Sequence, residues 1–174
     1  MTPARRGWLI GGVGAAAALA GLGGALWRDR TSGGAPADPA LWALRFPRPE
    51  GGDLVLAQFL GRPLLLNFWA TWCPPCVREL PMLDRFHRAQ PADGWQVVGL
   101  AVDGPTPVRE FLRRTPLGFP VGLAGLDGAS LSRQLGNTAG GLPFSVAFGR
   151  DGRLIQRQLG ELDEARLKIW QDSA

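Results

Sequence analysis

The sequence predicts an α/β fold in which a central mixed β-sheet carries helices on both faces. Two largely apolar runs, residues 64–68 with Asn67 inside and 95–102 with Gln96 inside, have the hydrophobicity of strands buried on both sides. Helical patterns follow over residues 73–89, 106–114 and 129–135. A hairpin then joins residues 144–148 to 154–159 through Arg150-Asp151-Gly152-Arg153, and a last helix is expected over 162–170. Strand–helix alternation that ends in a hairpin and a helix places one sheet between two helical layers.

The first element is expected to be a membrane or export helix. After Arg5 and Arg6, residues 8–27 carry no charge, and twenty uncharged residues suffice to span a bilayer core as a helix. Glycines at 11, 12, 14, 21, 23 and 24 dilute the hydrophobicity, so a secretory signal with a cleavage pattern at Ala35-Pro36-Ala37 stays open. Arg5-Arg6 followed by Gly7-Trp8-Leu9 loosely resembles a twin-arginine signal. Trp8 and Trp27 at the two ends suit interfacial anchors and favour a retained helix contacting the lipid bilayer. The expected organisation is an anchor or export signal over 1–30, a linker over 31–40 and one domain over 41–174. Outside the cytosol, such a domain sits where disulfides persist.

Charge excludes one class of partner. The chain carries a net +4, but four arginines and one aspartate lie before residue 31. The remainder holds 15 basic and 14 acidic residues, a balance of +1, so no footprint for nucleic acid survives.

Within the domain, Leu54-Val55-Leu56 and Gln58-Phe59 read as short strand material before the break at Gly61-Arg62-Pro63. The helix over 73–89 places Val77, Leu80, Leu83 and Phe86 at helical spacing. Pro81 inside it removes one backbone bond and predicts a kink. Phe119-Pro120-Val121 reads as extended, and Gly136 ends the helix over 129–135. Asp163 and Glu164 favour the start of the last helix.

The chemistry is concentrated where the first buried run meets its helix, at Trp69-Ala70-Thr71-Trp72-Cys73-Pro74-Pro75-Cys76. Both cysteines of the chain are here. A helix starting at Cys73 would favour its thiolate through unpaired N–H groups and the positive end of the dipole. A thiolate attacks a disulfide, and a second cysteine one turn later resolves the mixed disulfide. A structural zinc site would need about four ligands, which two cysteines and the distant His87 do not supply. Neither metal nor cofactor is expected, and His87 reads as a surface histidine. A Cu(I)-binding pair remains an alternative of a different class, with only Met82 and His87 as further soft or nitrogen ligands.

With Trp-Cys-Pro-Pro-Cys on a strand-to-helix turn and Gly141-Leu142-Pro143 before a hairpin, the chain resembles thioredoxin-fold proteins. The likeness is to the TlpA/ResA-like membrane-anchored thiol–disulfide oxidoreductases in particular. It covers about Gly51 to Trp170 and includes Arg78-Glu79-Leu80-Pro81 and Asp151-Gly152-Arg153. Asn67 stands where thioredoxin has a buried aspartate, and residues 104–126 would hold an extra helix and strand. The resemblance implies that Cys73 is the exposed attacking cysteine and Cys76 the buried resolving one. It also implies a cis bond before Pro143 and a Leu142 backbone free to pair with a substrate strand. Glu79 would tune the cysteines and assist proton transfer, against its plain reading as a solvated carboxylate beside Arg78. Trp72 would belong to the docking surface, whereas Trp69 reads equally well as core. Phe144 departs from the small polar residue usual after the cis-proline.

The activity implied is protein-disulfide reduction facing the periplasm of a bacterium, from the inner membrane or as a released protein if the leader is cleaved. Electrons would come from a membrane thiol transporter of the DsbD/CcdA type. Apocytochrome c or copper-site cysteines are the implied targets. Pro74 and Pro75 have no N–H, which limits thiolate stabilisation and favours a reducing poise over the alternative of an oxidase or isomerase.

Overall fold

The computed structural model describes residues 35–173. They form eight strands: β1 (Ala35–Pro36), β2 (Arg45–Pro47), β3 (Asp53–Val55), β4 (Leu64–Trp69), β5 (Gln96–Ala101), β6 (Val121–Leu123), β7 (Phe144–Phe148) and β8 (Arg153–Leu159). Five α-helices accompany them: α1 (Pro39–Trp42), α2 (Pro74–Arg88), α3 (Pro105–Arg114), α4 (Gly125–Gln134) and α5 (Glu164–Gln171). Six strands make one mixed sheet in the order β1-β8-β7-β4-β5-β6, and β2 pairs with β3 in a separate hairpin. β4 lies between a parallel neighbour, β5, and an antiparallel one, β7. This is the thioredoxin-type arrangement that the resemblance implies, and the segment 104–126 holds a helix and a strand, α3 and β6.

Every residue of β4 and β5 is buried, yet their side chains sort strictly by parity. Leu65, Trp69, Val97 and Ala101 join Cys76, Leu80, Phe111 and Trp170 in one core, beneath α2, α3 and α5. Leu64, Leu66, Phe68, Val98 and Leu100 join Phe46, Leu131 and Phe148 on the opposite face. A continuous apolar run is therefore two alternating sets, one for each helical layer. Asn67 has the parity of Leu65 and Trp69, which aims it at α2.

The expected anchor or signal over 1–30, with its bilayer span at 8–27, lies outside the described residues, as do 31–34 of the expected linker. Among the described residues no helix is long and apolar enough to cross a membrane. Ala35 and Pro36, inside the stretch expected as linker, pair with Leu154 and Arg153 of β8. Asp38 then caps α1 by accepting from the Ala40 N–H at 2.9 Å.

Several boundaries differ from expectation. Residues 56–59 form a 3-10 turn rather than a strand, and the Phe59 carbonyl accepts from the Gln96 side chain at 2.8 Å. The extended piece expected at 119–121 becomes a strand only from Val121, because Pro120 has no N–H for a ladder and serves as an acceptor for Gly99. α4 starts four residues earlier than expected, at Gly125. Asp163 lies outside α5 as its cap, accepting from the Arg166 N–H at 2.7 Å. α2 runs unbroken through Pro81, which sits on its exposed side.

Candidate active site

β4 ends at Trp69, and Ala70, Thr71 and Trp72 turn the chain into α2 at the same end of the sheet as the carboxyl end of β5. Cys73 is the N-cap of α2, with extended backbone, and Pro74 and Pro75 fill the first two helical positions. Neither proline has an N–H to offer. The first backbone donor of the helix is Cys76, and it points at the Cys73 sulfur at 3.3 Å. A Cys73 thiolate would thus have this one intrahelical donor, fewer than an all-N–H first turn provides.

The two cysteines are joined, S–S 2.02 Å and Cα–Cα 5.3 Å. Cys76 is fully buried, and Cys73, expected to be exposed, is only 4% exposed in this oxidised form. The exposed group at the turn is instead Trp72, at 66%. Trp69 is core, its ring 5.2 Å from that of Phe111.

Glu79, one turn beyond Cys76 on the same helix face, is buried rather than solvated. One carboxylate oxygen accepts from the Asn67 side-chain amide at 2.7 Å, the other from the Leu162 N–H at 2.8 Å. The Asn67 amide also donates to Ser145 Oγ at 2.9 Å, across the β4–β7 register. Burial pushes the Glu79 pKa up to about 7. The bonds from Leu162 and Asn67 oppose that rise, and the negative charge of Glu161 adds to it. A carboxyl poised near neutrality beside a dithiol can take or give a proton there.

The Leu142–Pro143 peptide bond is cis. The Pro143 carbonyl accepts from Gly160 at 2.9 Å, and Asn137 secures the preceding loop by donating to the Gly141 carbonyl at 2.8 Å. Leu142's own N–H and carbonyl have no hydrogen-bond partner among the described residues. Leu142 and Trp72 line one small cavity.

One site residue escapes a reading of sequence alone. Asp103, just past β5, accepts at one oxygen from the Thr71 N–H at 3.1 Å and from the Thr71 hydroxyl. Its other oxygen accepts from the Gly104 N–H at 2.7 Å. It ties the cysteine turn to the neighbouring strand end. The available signal was its place: a carboxylate at the carboxyl end of a strand parallel to the cysteine-bearing one, where α/β sheets build their sites. His87, expected at the surface, is half-buried. It packs edge-on to Phe119, ring centroids 6.2 Å apart, and burial pulls its pKa below the usual range. It stands at the far end of α2, away from the disulfide.

The Redoxin family model matches residues 36–169. The thiol-disulfide oxidoreductase ResA of Bacillus thuringiensis subsp. konkukian is 31% identical over 122 residues, 70% of this chain and 68% of that protein. Sporulation thiol-disulfide oxidoreductase A of Bacillus subtilis is 27% identical over 139 residues, 78% of this chain and 80% of its own. The crystal structure of a thioredoxin-related protein from Neisseria meningitidis serogroup B covers 74% of this chain and 96% of its own at 28% identity, with a TM-score of 0.65.

Proposed function

The chain belongs to the Redoxin family as a thiol–disulfide oxidoreductase of the ResA type, and on that premise we propose that it is a disulfide reductase facing the periplasm. The observation that carries the direction is the first turn of α2, where Pro74 and Pro75 leave the Cys76 N–H as the donor to the Cys73 sulfur. Stabilising a thiolate is what makes a strong oxidant, so a sparse donor set favours the reducing side.

In the forward reaction the Cys73 thiolate attacks one sulfur of a substrate disulfide. A Cys73–substrate mixed disulfide forms, and the substrate's other sulfur leaves as a thiolate. Cys76 then gives up its proton and attacks the Cys73 sulfur. The first substrate sulfur leaves, and the Cys73–Cys76 bond forms. Counted from the dithiol, the protein gives up two electrons and two protons. One proton is released when Cys73 ionises and one is passed on from Cys76 through Glu79, and the two substrate thiolates take up two protons. Glu79, ionised in part near pH 7, is the acceptor for the Cys76 proton. The free N–H and carbonyl of Leu142, held by the bend at Pro143, pair with the backbone of the substrate strand. Trp72 provides apolar surface beside it.

Residues 8–27 anchor the chain in the inner membrane or export it, and the domain that begins with the Ala35–Leu154 pairing does the chemistry. Electrons return through a membrane thiol donor of the DsbD/CcdA kind. Cysteines of apocytochrome c or of a copper-site assembly factor are the substrates. Trapping mixed disulfides with a Cys76→Ser variant in its native periplasm identifies them.

The direction is tested by the midpoint potential of the Cys73–Cys76 couple in the full chain, equilibrated in redox buffers. A value near that of thioredoxin, about −270 mV, is expected. One near about −120 mV, like DsbA, assigns a thiol oxidase instead.

A further inference from the structure

The cavity between Trp72, the neighbour of Cys73, and Leu142, about 190 Å³, is small against the roughly 300–1,000 Å³ of small-molecule sites and matches a single side chain. Its apolar wall comes from Trp72, Val102, Ala129 and Leu142, and its rim from Gly140 and Arg133. Arg133 is the only ionisable residue lining it. The guanidinium lies along the loop that leads to Pro143, so close that a Cβ on Gly140 would sit 3.2 Å from it.

Arg133 makes no ion pair or hydrogen bond through its side chain among the described residues. The arginines of α2 contrast with it: Arg78 pairs with Glu161, Arg85 with Glu164 and Arg88 with Asp84. The hydroxyl that lines the cavity is engaged: Ser132 Oγ donates to the Ala129 carbonyl at 2.9 Å. Among the groups left without a partner at this edge are the Leu142 backbone pair and the Arg133 guanidinium. A strand laid on Leu142 directs alternate side chains to the protein surface, one into the apolar cavity and a neighbour toward its rim.

We propose that this groove selects disulfide-bearing substrate strands that place an acidic side chain beside an apolar one, the apolar group seated between Trp72 and Leu142 and the acid paired with Arg133. The inference rests on the reductase reading and adds a charge preference to it. A guanidinium meets a carboxylate through paired N–H donors, and such a contact at a rim acts on encounter and register more than on chemistry.

The test uses the pre-reduced full chain in single turnover against three disulfide peptides that differ at one residue near the cysteines: Glu, Gln or Lys. A small neutral disulfide, bis(2-hydroxyethyl) disulfide, serves as the substrate without a strand. The Glu peptide should react roughly three- to tenfold faster than the Lys peptide, the size of a partly exposed ion pair, and the gap should shrink as salt is raised. Arg133→Glu should reverse the order of the Glu and Lys peptides, and Arg133→Gln should level it. Equal rates for all three peptides, with the small disulfide still reduced, overturn the charge preference and leave the reductase reading in place. Reduction of none of the four removes both.

Discussion

Glu79 occupies a place where ionisation is costly, and that cost reaches the stability of the fold. Its carboxyl is 2% exposed, and two donors only partly offset the loss of water, so its pKa stands at about 7 against 4.5 for a free side chain. Between those values the folded chain keeps a proton that the unfolded chain releases. The contribution is therefore fully present below pH 4.5 and is lost as pH rises through 7. His87 acts with the opposite sign, since burial holds it neutral and its contribution is lost on acidification. A Glu79→Gln variant separates the two, because glutamine mimics the protonated carboxyl at every pH. In the oxidised protein, where neither cysteine titrates, urea unfolding of wild type against variant should diverge as pH rises from 4.5 to 7. The variant should gain in relative stability by a few kcal/mol, on the order of the pKa difference at about 1.4 kcal/mol per unit. Parallel curves across that range would place the Glu79 proton elsewhere. The sequence alone left Glu79 between a solvated helix acid and an active-site group. What decides it is contact with Asn67 and Leu162, 12 and 83 residues away.

At the scale of elements, the cysteine turn was legible because its determinants are local. An apolar run, two prolines suited to the first helical turn and a cysteine on each side specify strand, cap and helix within a dozen residues. Only half of the β2–β3 hairpin was legible: Leu54 and Val55 read as strand, but β2 has three residues, too few to show a period of two, and its Pro47 argues against a strand. The early turns of α4 were hidden by Gly125 and Gly128, poor helix formers that tertiary packing overrides. Asp103 lies 32 residues from Thr71 in sequence, and only the parallel pairing of β4 with β5 brings them together. Its role predicts a local effect. Asp103→Ala removes both bonds from Thr71 and should destabilise the fold by about 1–3 kcal/mol, since the Thr71 N–H loses its partner. Hydrogen exchange should quicken at residues 71–73 more than in β4, where the ladder is intact. Unchanged protection at the turn would mean that Asp103 does not hold it.

Across the whole molecule, redox poise and folding stability are two sides of one cycle. The disulfide can form in the folded or the unfolded chain, so the difference between those two potentials equals the difference in stability between oxidised and reduced protein. A strong oxidant such as DsbA has a reduced form stabilised by its fold. A reductase has the reverse balance. Here the fold places Cys76 in the same apolar core as Leu80, Phe111 and Trp170, an environment that disfavours a thiolate and suits a closed disulfide. It also leaves the Cys73 sulfur with the Cys76 N–H as its donor at the head of α2. Burial weakens the reduced state when Cys76 ionises, and a single donor at Cys73 offsets this only in part. The oxidised full chain should therefore unfold at higher urea than the reduced chain at pH 7, with the gap widening toward pH 9 as the Cys76 thiol, which the fold holds neutral, ionises in the unfolded chain. Every 30 mV by which the folded couple lies below the unfolded one corresponds to about 1.4 kcal/mol of that gap. A reduced form more stable than the oxidised one would reverse the assigned direction of electron flow without any appeal to substrate.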